Sequence, residues 1–146
     1  MKFARIDLSK TNYTELDIKW LIPTGREVQR KFEILNDIYV TYCQHKKFKS
    51  VRPIFINEYA NNNSEVIAYY VKNKIVAYSL INILDNENVE CEQFAWDYAD
   101  PDLTLGLRSL EHECAIYKSR GYKYMYLGYD DYYKQKFDGF EILGPV

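Results

Sequence analysis

Residues 2–8 alternate, with Phe3, Arg5 and Asp7 set against Ala4, Ile6 and Leu8, which predicts a first strand. A loop closed by Pro23 follows. From Thr24 to about Lys46 the period changes. Val28, Phe32, Leu35, Tyr39 and Tyr42 recur at spacings of three and four, one apolar face of a helix. Thr24-Gly25-Arg26-Glu27 fits a capping box that starts it. Residues 51–60 are ambiguous, either a short helix or an extended piece after Pro53, and Asn61-Asn62-Asn63-Ser64 is loop. Three apolar or alternating runs then cover residues 65–71, 74–84 and 88–98. Lys72-Asn73 and Asp85-Asn86-Glu87 separate them at hairpin length, predicting an antiparallel meander that ends at Asp100-Pro101-Asp102.

A second helix is expected from about Thr104 to Arg120, with Leu107, Leu110, Cys114 and Tyr117 as its seam and Gly121 just past its end. Residues 122–128 read as a buried strand, residues 130–136 as a short helix and residues 140–143 as a last strand. A meander followed by a helical crossover makes the strand after the helix parallel to its neighbour. The expected fold is α+β: one mixed, mostly antiparallel sheet flanked by helices, in a single domain over residues 1–146, with no repeat and no linker.

Composition narrows the function classes. The chain has 146 residues, a size that suits one core. Fifteen tyrosines suit half-buried strands and cleft walls. The net charge of -2 lacks the basic balance of a nucleic-acid binder, and the group Lys46, Lys47, Lys49 and Arg52 reads as a solvated face. Three widely spaced cysteines and two histidines away from ligand spacing predict neither a disulfide framework nor a metal site. The N-terminal residues lack the apolar stretch of a signal peptide and no run reaches membrane-spanning length, so a cytoplasmic protein without a membrane partner is expected.

Local motifs carry the rest. They are Tyr98-Ala99-Asp100-Pro101-Asp102, Leu105-Gly106 at the helix start, Gly121-Tyr122-Lys123-Tyr124-Met125-Tyr126-Leu127-Gly128-Tyr129 after it, and Lys134-Gln135-Lys136-Phe137. From Gln93 to Leu143 the chain resembles the C-terminal half of the aminoacyl-tRNA–protein transferases, the arginyl and leucyl enzymes, which share the GNAT acyltransferase fold. The element order is also that of GNAT proteins. The resemblance implies an N-acyltransferase that moves an acyl or aminoacyl group from acyl-CoA or aminoacyl-tRNA to an amine. That amine belongs to a protein N-terminus, a peptide or a small molecule. No tightly bound cofactor is implied. The rival reading is a GNAT-shaped binding module without turnover.

In that framework residues 88–98 and 122–128 are the strands that part around the donor, with a bulge at Gln93-Phe94 or Ala95-Trp96. The donor-phosphate loop of acyl-CoA users has the pattern [QR]-x-x-G-x-[GA]. Here the window is Leu103-Thr104-Leu105-Gly106-Leu107-Arg108, and only the middle glycine survives. Gln93, Phe94, Leu105, Gly106, Leu107 and Arg108 are thus the donor-binding candidates. Asp100 and Asp102 add negative charge beside an anion site, which counts against an ordinary pyrophosphate. For the acceptor amine's proton, Glu92, with Glu90 beside it, is the candidate base. Both carboxylates can equally lie on a solvent face. Tyr132 and Tyr133 stand where such enzymes place the tyrosine that protonates the leaving group. Trp96, Tyr98 and Tyr129 are cleft-wall candidates, and Cys91 and Cys114 read as small core residues.

Overall fold

Seven strands form one sheet in the order β2-β3-β4-β5-β6-β1-β7 in the computed structural model, which describes residues 2–48, 53–129 and 132–145. The strands are β1 (Lys2–Asp7), β2 (Lys19–Leu21), β3 (Ser64–Val71), β4 (Lys74–Ile83), β5 (Asn88–Trp96), β6 (Tyr124–Tyr129) and β7 (Phe140–Pro145). The helices are α1 (Gly25–Arg30), α2 (Phe32–Lys46), α3 (Ile56–Tyr59) and α4 (Leu105–Ser119). The α+β fold with a mixed, mostly antiparallel sheet is as expected. So is the meander: β3 pairs antiparallel with β4 and β4 with β5. Lys72 and Asn73 both take positive φ in the two-residue turn, the conformation whose twist matches the strands it joins.

The sheet carries two apolar layers. On one face α4 packs, and Ile6, Tyr69, Ile81, Val89, Leu105, Cys114, Tyr117 and Met125 form the larger cluster. On the other face α1, α2 and α3 bring Val28, Leu35, Ile38 and Tyr59 against Val66, Ala68, Tyr78, Leu80 and Ala95. The capping box at Thr24 is formed, with Glu27 N–H donating to Thr24 Oγ1 at 3.2 Å.

Four local expectations change. The single helix over residues 24–46 is broken at Lys31 (φ −102°, ψ 9°), and Val28 before the break and Leu35 after it are both buried in the same cluster. Strand β2 has only three residues, too few to show a period, and is made by pairing with β3. Within residues 51–60 a single turn of helix, α3, forms, and residues 49–52 lie outside those described. The short helix after β6 is a 3-10 turn at Tyr132–Lys136, with Asp130 and Asp131 outside the described residues. Strand β1 inserts between β6 and β7, pairing Ile6 with Met125 on one side and with Phe140 on the other. Gly139 makes that crossing possible. Its φ is +73°, and a Cβ there would stand 2.3 Å from the Asp7 carbonyl oxygen.

Candidate functional site

The parallel pair β5–β6 is short. Asn88, Val89 and Glu90 pair with Tyr124, Met125 and Tyr126, and the pairing stops there. Beyond that point β5 continues to Trp96 and β6 to Tyr129 as separate strands. The parting begins just ahead of the place expected from sequence, Gln93-Phe94 or Ala95-Trp96. A bulge in β5 drives it: Leu80 of β4 faces Gln93 while Ile81 faces Cys91, so Glu92 is the extra residue. The bulge therefore sits one position before the expected Gln93-Phe94. It switches the face of the residues that follow. Gln93 and Ala95 turn toward α2 and α3, and Phe94 and Trp96 join Val89 and Cys91 on the α4 side.

Where the strands part, a cleft of about 520 Å³ opens. β5 lines it with Cys91, Glu92, Gln93, Phe94 and Trp96, helix α4 with Gly106, Leu107, Ser109, Leu110 and Glu113, and α2 with Tyr42 and Lys46. Tyr98, Leu127 and Lys134 complete the wall. A second pocket of about 180 Å³, lined by Tyr39, Pro53, Ile54, Glu58, Tyr59, Leu80, Glu92 and Gln93, meets the first at Glu92 and Gln93. The bulge thus places one exposed carboxylate on the boundary between two cavities. Asn82 Nδ2 donates to Glu92 Oε2 at 2.7 Å and to Glu90 Oε1 at 3.0 Å, holding both carboxylates on one side. Gln93 is fixed from beneath: the hydroxyls of Tyr78 (2.8 Å) and Tyr59 both donate to its Oε1.

The donor-binding candidates divide. Gln93, Phe94, Gly106 and Leu107 line the cleft, and Leu107 is about half exposed at its rim rather than in the seam of α4. Leu105 does not line it, because its side chain is fully buried in the core beneath α4. Arg108 is also turned away. Its guanidinium donates to Asp17 Oδ1 at 3.0 Å and to the Leu103 carbonyl at 3.1 Å, pinning the segment before β2 to the helix. Gly106 is notable for what it does not touch. A Cβ there would meet nothing within 4 Å, so packing does not require a glycine at this helix start. Thr104, just before the helix, makes no side-chain cap hydrogen bond to it, and the first N–H groups of α4 lie beside the cleft.

Trp96 and Tyr98 do form a wall. Tyr98 has φ of +56° and stacks on His45 (centroids 3.6 Å apart), with Tyr42 parallel at 6.0 Å and Trp96 at 4.4 Å. The side chains of Tyr129, Tyr132 and Tyr133 lie outside the described residues.

Three participants were not assigned to the site from sequence. Lys134 reaches the cleft, its Nζ donating to the Leu127 carbonyl at 2.9 Å. Cys91 faces the cleft rather than the core alone, although burial pushes its thiol well up and keeps it protonated. Glu113 is the third. It is 3% exposed on the inner face of α4, at the floor of the cleft. Tyr69 and Ser79 hydroxyls each donate to its Oε2 at 2.6 Å, and the Cys91 thiol approaches Oε1 at 3.5 Å. Burial pushes its carboxyl up to about 7, against the pull of those three donors. Its neighbour His112 is fully buried and shifted the other way. Burial lowers it to about 4, Nδ1 accepts the Leu16 N–H at 2.9 Å, and the imidazole packs edge-on to Trp20. A signal for Glu113 existed: it falls one turn from both Ser109 and Tyr117, on the buried stripe of α4. Among the described residues no cluster of His, Cys, Asp and Glu is arranged to hold a metal ion, and no helix is long and apolar enough to cross a membrane.

Known proteins fit this geometry. The family model for "Arginine-tRNA-protein transferase, C terminus" matches residues 31–144. An aspartate/glutamate leucyltransferase of Campylobacter jejuni is 31% identical over 108 residues, covering 65% of this chain and 42% of its own length. The chain therefore spans less than half of that relative. Among solved structures, a GCN5-related N-acetyltransferase from Kribbella flavida superposes with a TM-score of 0.57 at 12% identity, over 96% of this chain and 53% of the other. An Enterococcus faecalis protein of unknown function, described as a probable N-acyltransferase, gives 0.66 at 10% identity, over 97% of this chain and 37% of the other. At such identities these two matches establish the shared fold.

Proposed function

We propose, from the premise that this chain belongs to the arginine-tRNA-protein transferase C-terminal family, that it performs the transfer step of an aminoacyl-tRNA-dependent N-acyltransferase. The observation that carries the reading is the parting of β5 and β6 beyond Glu90 and Tyr126, with the bulge residue Glu92 between two cavities. The larger cavity would hold the aminoacyl end of the donor, and the smaller one would admit the acceptor amine.

The chemistry follows from the groups present. The acceptor amine attacks the ester carbonyl of the donor, and the new N–C bond forms as the bond between the acyl carbon and the ribose oxygen breaks. The attacking ammonium must give up a proton, and Glu92, exposed and at the junction, is placed to take it directly or through water. Negative charge develops on the carbonyl oxygen. On the side where β6 has left it, β5 offers backbone N–H groups to that oxygen. The departing ribose oxygen needs a proton, a role we assign to Tyr132 or Tyr133 from their position in the sequence. Gly106 lets the donor approach the N-terminal turn of α4 closely, where N–H groups suit a phosphate. Lys46 at the rim and Lys134 in the wall add positive charge for a tRNA end. Charged tRNA places the reaction in the cytoplasm, and a protein or peptide N-terminus is the acceptor class.

An acyl-CoA donor is the competing expectation. Arg108, the one cation in the phosphate-loop window, is engaged by Asp17 and the Leu103 carbonyl, which favours the tRNA donor. Thermal-shift measurements with acetyl-CoA, a longer acyl-CoA and a mixture of charged tRNAs test the reading. Stabilisation by charged tRNA alone is expected. Stabilisation by an acyl-CoA would replace the donor, and no stabilisation by any of them would overturn the assignment.

A further inference from the structure

We infer that Gln93 reads the acceptor: its side-chain amide donates to the carbonyl oxygen that follows the attacking amine, so the site distinguishes the end of a peptide from a simple amine. The inference rests on the reading that the smaller cavity admits the acceptor. It goes further by naming the group that recognises the acceptor and the feature it recognises.

The bulge at Glu92 turns the Gln93 side chain to the α2 and α3 side of the sheet, the side of the smaller cavity and opposite α4. There it meets two phenols. Tyr59 is 2% exposed and Tyr78 is fully buried, and burial pushes both phenols up, so each keeps its proton. The two hydroxyl oxygens stand 3.1 Å apart, and both reach Gln93 Oε1. If one hydroxyl turns to the other, the second proton still needs an acceptor. Among the described residues Oε1 is the one within its reach. An amide turned the other way would leave that buried proton unpaired. The tyrosines therefore fix the oxygen inward and Nε2 outward, where neither N–H has a partner among the described residues. A glutamate oxygen would satisfy the phenols equally. Only an amide adds two outward donors.

Gln93 and its neighbour Glu92 both line the smaller cavity. A carboxylate and an amide donor on consecutive residues complement an N-terminal residue, whose ammonium and carbonyl are joined through one α-carbon. Glu92 faces the ammonium and Gln93 holds the carbonyl oxygen, which fixes the direction from which the amine enters the larger cleft. An alkylamine or a lysine side chain offers only the first contact. Tyr59 and Tyr78 are positioning residues that act through Gln93.

The test follows the full nitrogen-15-labelled chain by NMR during titration with three probes. They are the tripeptide Gly-Ala-Phe, the same peptide with its first carbonyl replaced by a thioamide, and propylamine. A thioamide sulfur keeps the shape but accepts hydrogen bonds more weakly. The natural peptide is expected to bind about three- to tenfold tighter than the thioamide, the range of one hydrogen bond, and to shift the Gln93 Nε2–H signals. Propylamine should bind more weakly than either peptide. In Gln93→Glu, which keeps an oxygen for both phenols, the two peptides should bind alike. Tyr78→Phe should shrink the preference, and adding it to Gln93→Glu should cost no further affinity, because Tyr78 acts through the group already removed. Equal binding of the two peptides by the native chain, or Gln93 signals unmoved by bound peptide, overturns the inference while the proposed function stands. A preference that persists in Gln93→Glu also overturns it, and a further loss in the double variant overturns the positioning role of Tyr78. Binding of neither peptide counts against the proposed function itself. The comparison of the two peptides needs no variant, so the inference stays testable if the variants do not fold.

Discussion

Glu113→Gln should change how stability responds to pH, and the sign can be worked from two adjacent side chains. In the folded chain the Glu113 carboxyl titrates near 7 against an ordinary 4.5, so the native state holds its proton where the unfolded chain has lost it. Its favourable contribution is complete below the unfolded value and is lost as pH rises through the folded one. His112 behaves oppositely. Buried and neutral, it titrates near 4 against 6.5, so its contribution is complete above 6.5 and is lost as pH falls toward 4. At roughly 1.4 kcal/mol per pH unit, each effect amounts to roughly 3 kcal/mol across its window. Between 4.5 and 6.5 the two slopes oppose each other, and the native chain should show a flattened profile from this pair. The Gln variant lacks one member. Its stability relative to the native chain should climb by roughly 3 kcal/mol from about pH 4 to about pH 8, steepest between 4.5 and 7. Urea unfolding followed by Trp20 and Trp96 fluorescence, one curve per pH for each protein, measures this directly. Other carboxylates cancel in the difference. Two stability profiles running parallel within about 0.5 kcal/mol across that range would refute a raised, buried Glu113 carboxyl.

Three further outcomes follow from the site and its frame. Gly106→Trp should abolish donor binding in the thermal-shift assay while leaving the unliganded melting temperature nearly unchanged, because a Cβ there meets nothing within 4 Å. Glu92→Gln should lower the transfer rate by about 10²-fold with unchanged donor affinity, and raising the pH should recover part of the loss by deprotonating the acceptor amine. Gly139→Ala should destabilise the fold by about 2–4 kcal/mol in urea unfolding, since its Cβ would collide with the Asp7 carbonyl at a positive φ.

Much of the frame was legible because it is written in local periods. The meander from β3 to β5 follows from two turn pairs between apolar runs, and the crossover through α4 then dictates a parallel β6. The site was legible only in part, because its defining features are not local. The extra residue in β5 is defined by its register against β4, so sequence offers Gln93-Phe94 or Ala95-Trp96 and misses Glu92. Arg108 looks like a phosphate ligand in a six-residue window, yet its partner Asp17 lies far back in the chain. Leu105 and Leu107 have the same composition and nearly the same position. Helix rotation alone buries the first and exposes the second. Glu113 was passed over because a charged residue amid apolar positions reads as an interruption of the stripe. Its hydroxyl partners come from β3 and β4, on elements that sequence spacing does not bring together.

The insertion of β1 between β6 and β7 has a consequence for how the chain acquires its shape. Ile6 finds Met125 on one side and Phe140 on the other, so these pairings close very long loops. The meander can assemble early from near neighbours. The β6–β1–β7 edge must wait, and among the described residues β7 has no sheet neighbour except β1. Folding rate should therefore be governed by this late closure. Until β6 and β7 are in place, residues 2–7 lack both of their sheet neighbours, which makes them a segment in need of protection from wrong partners.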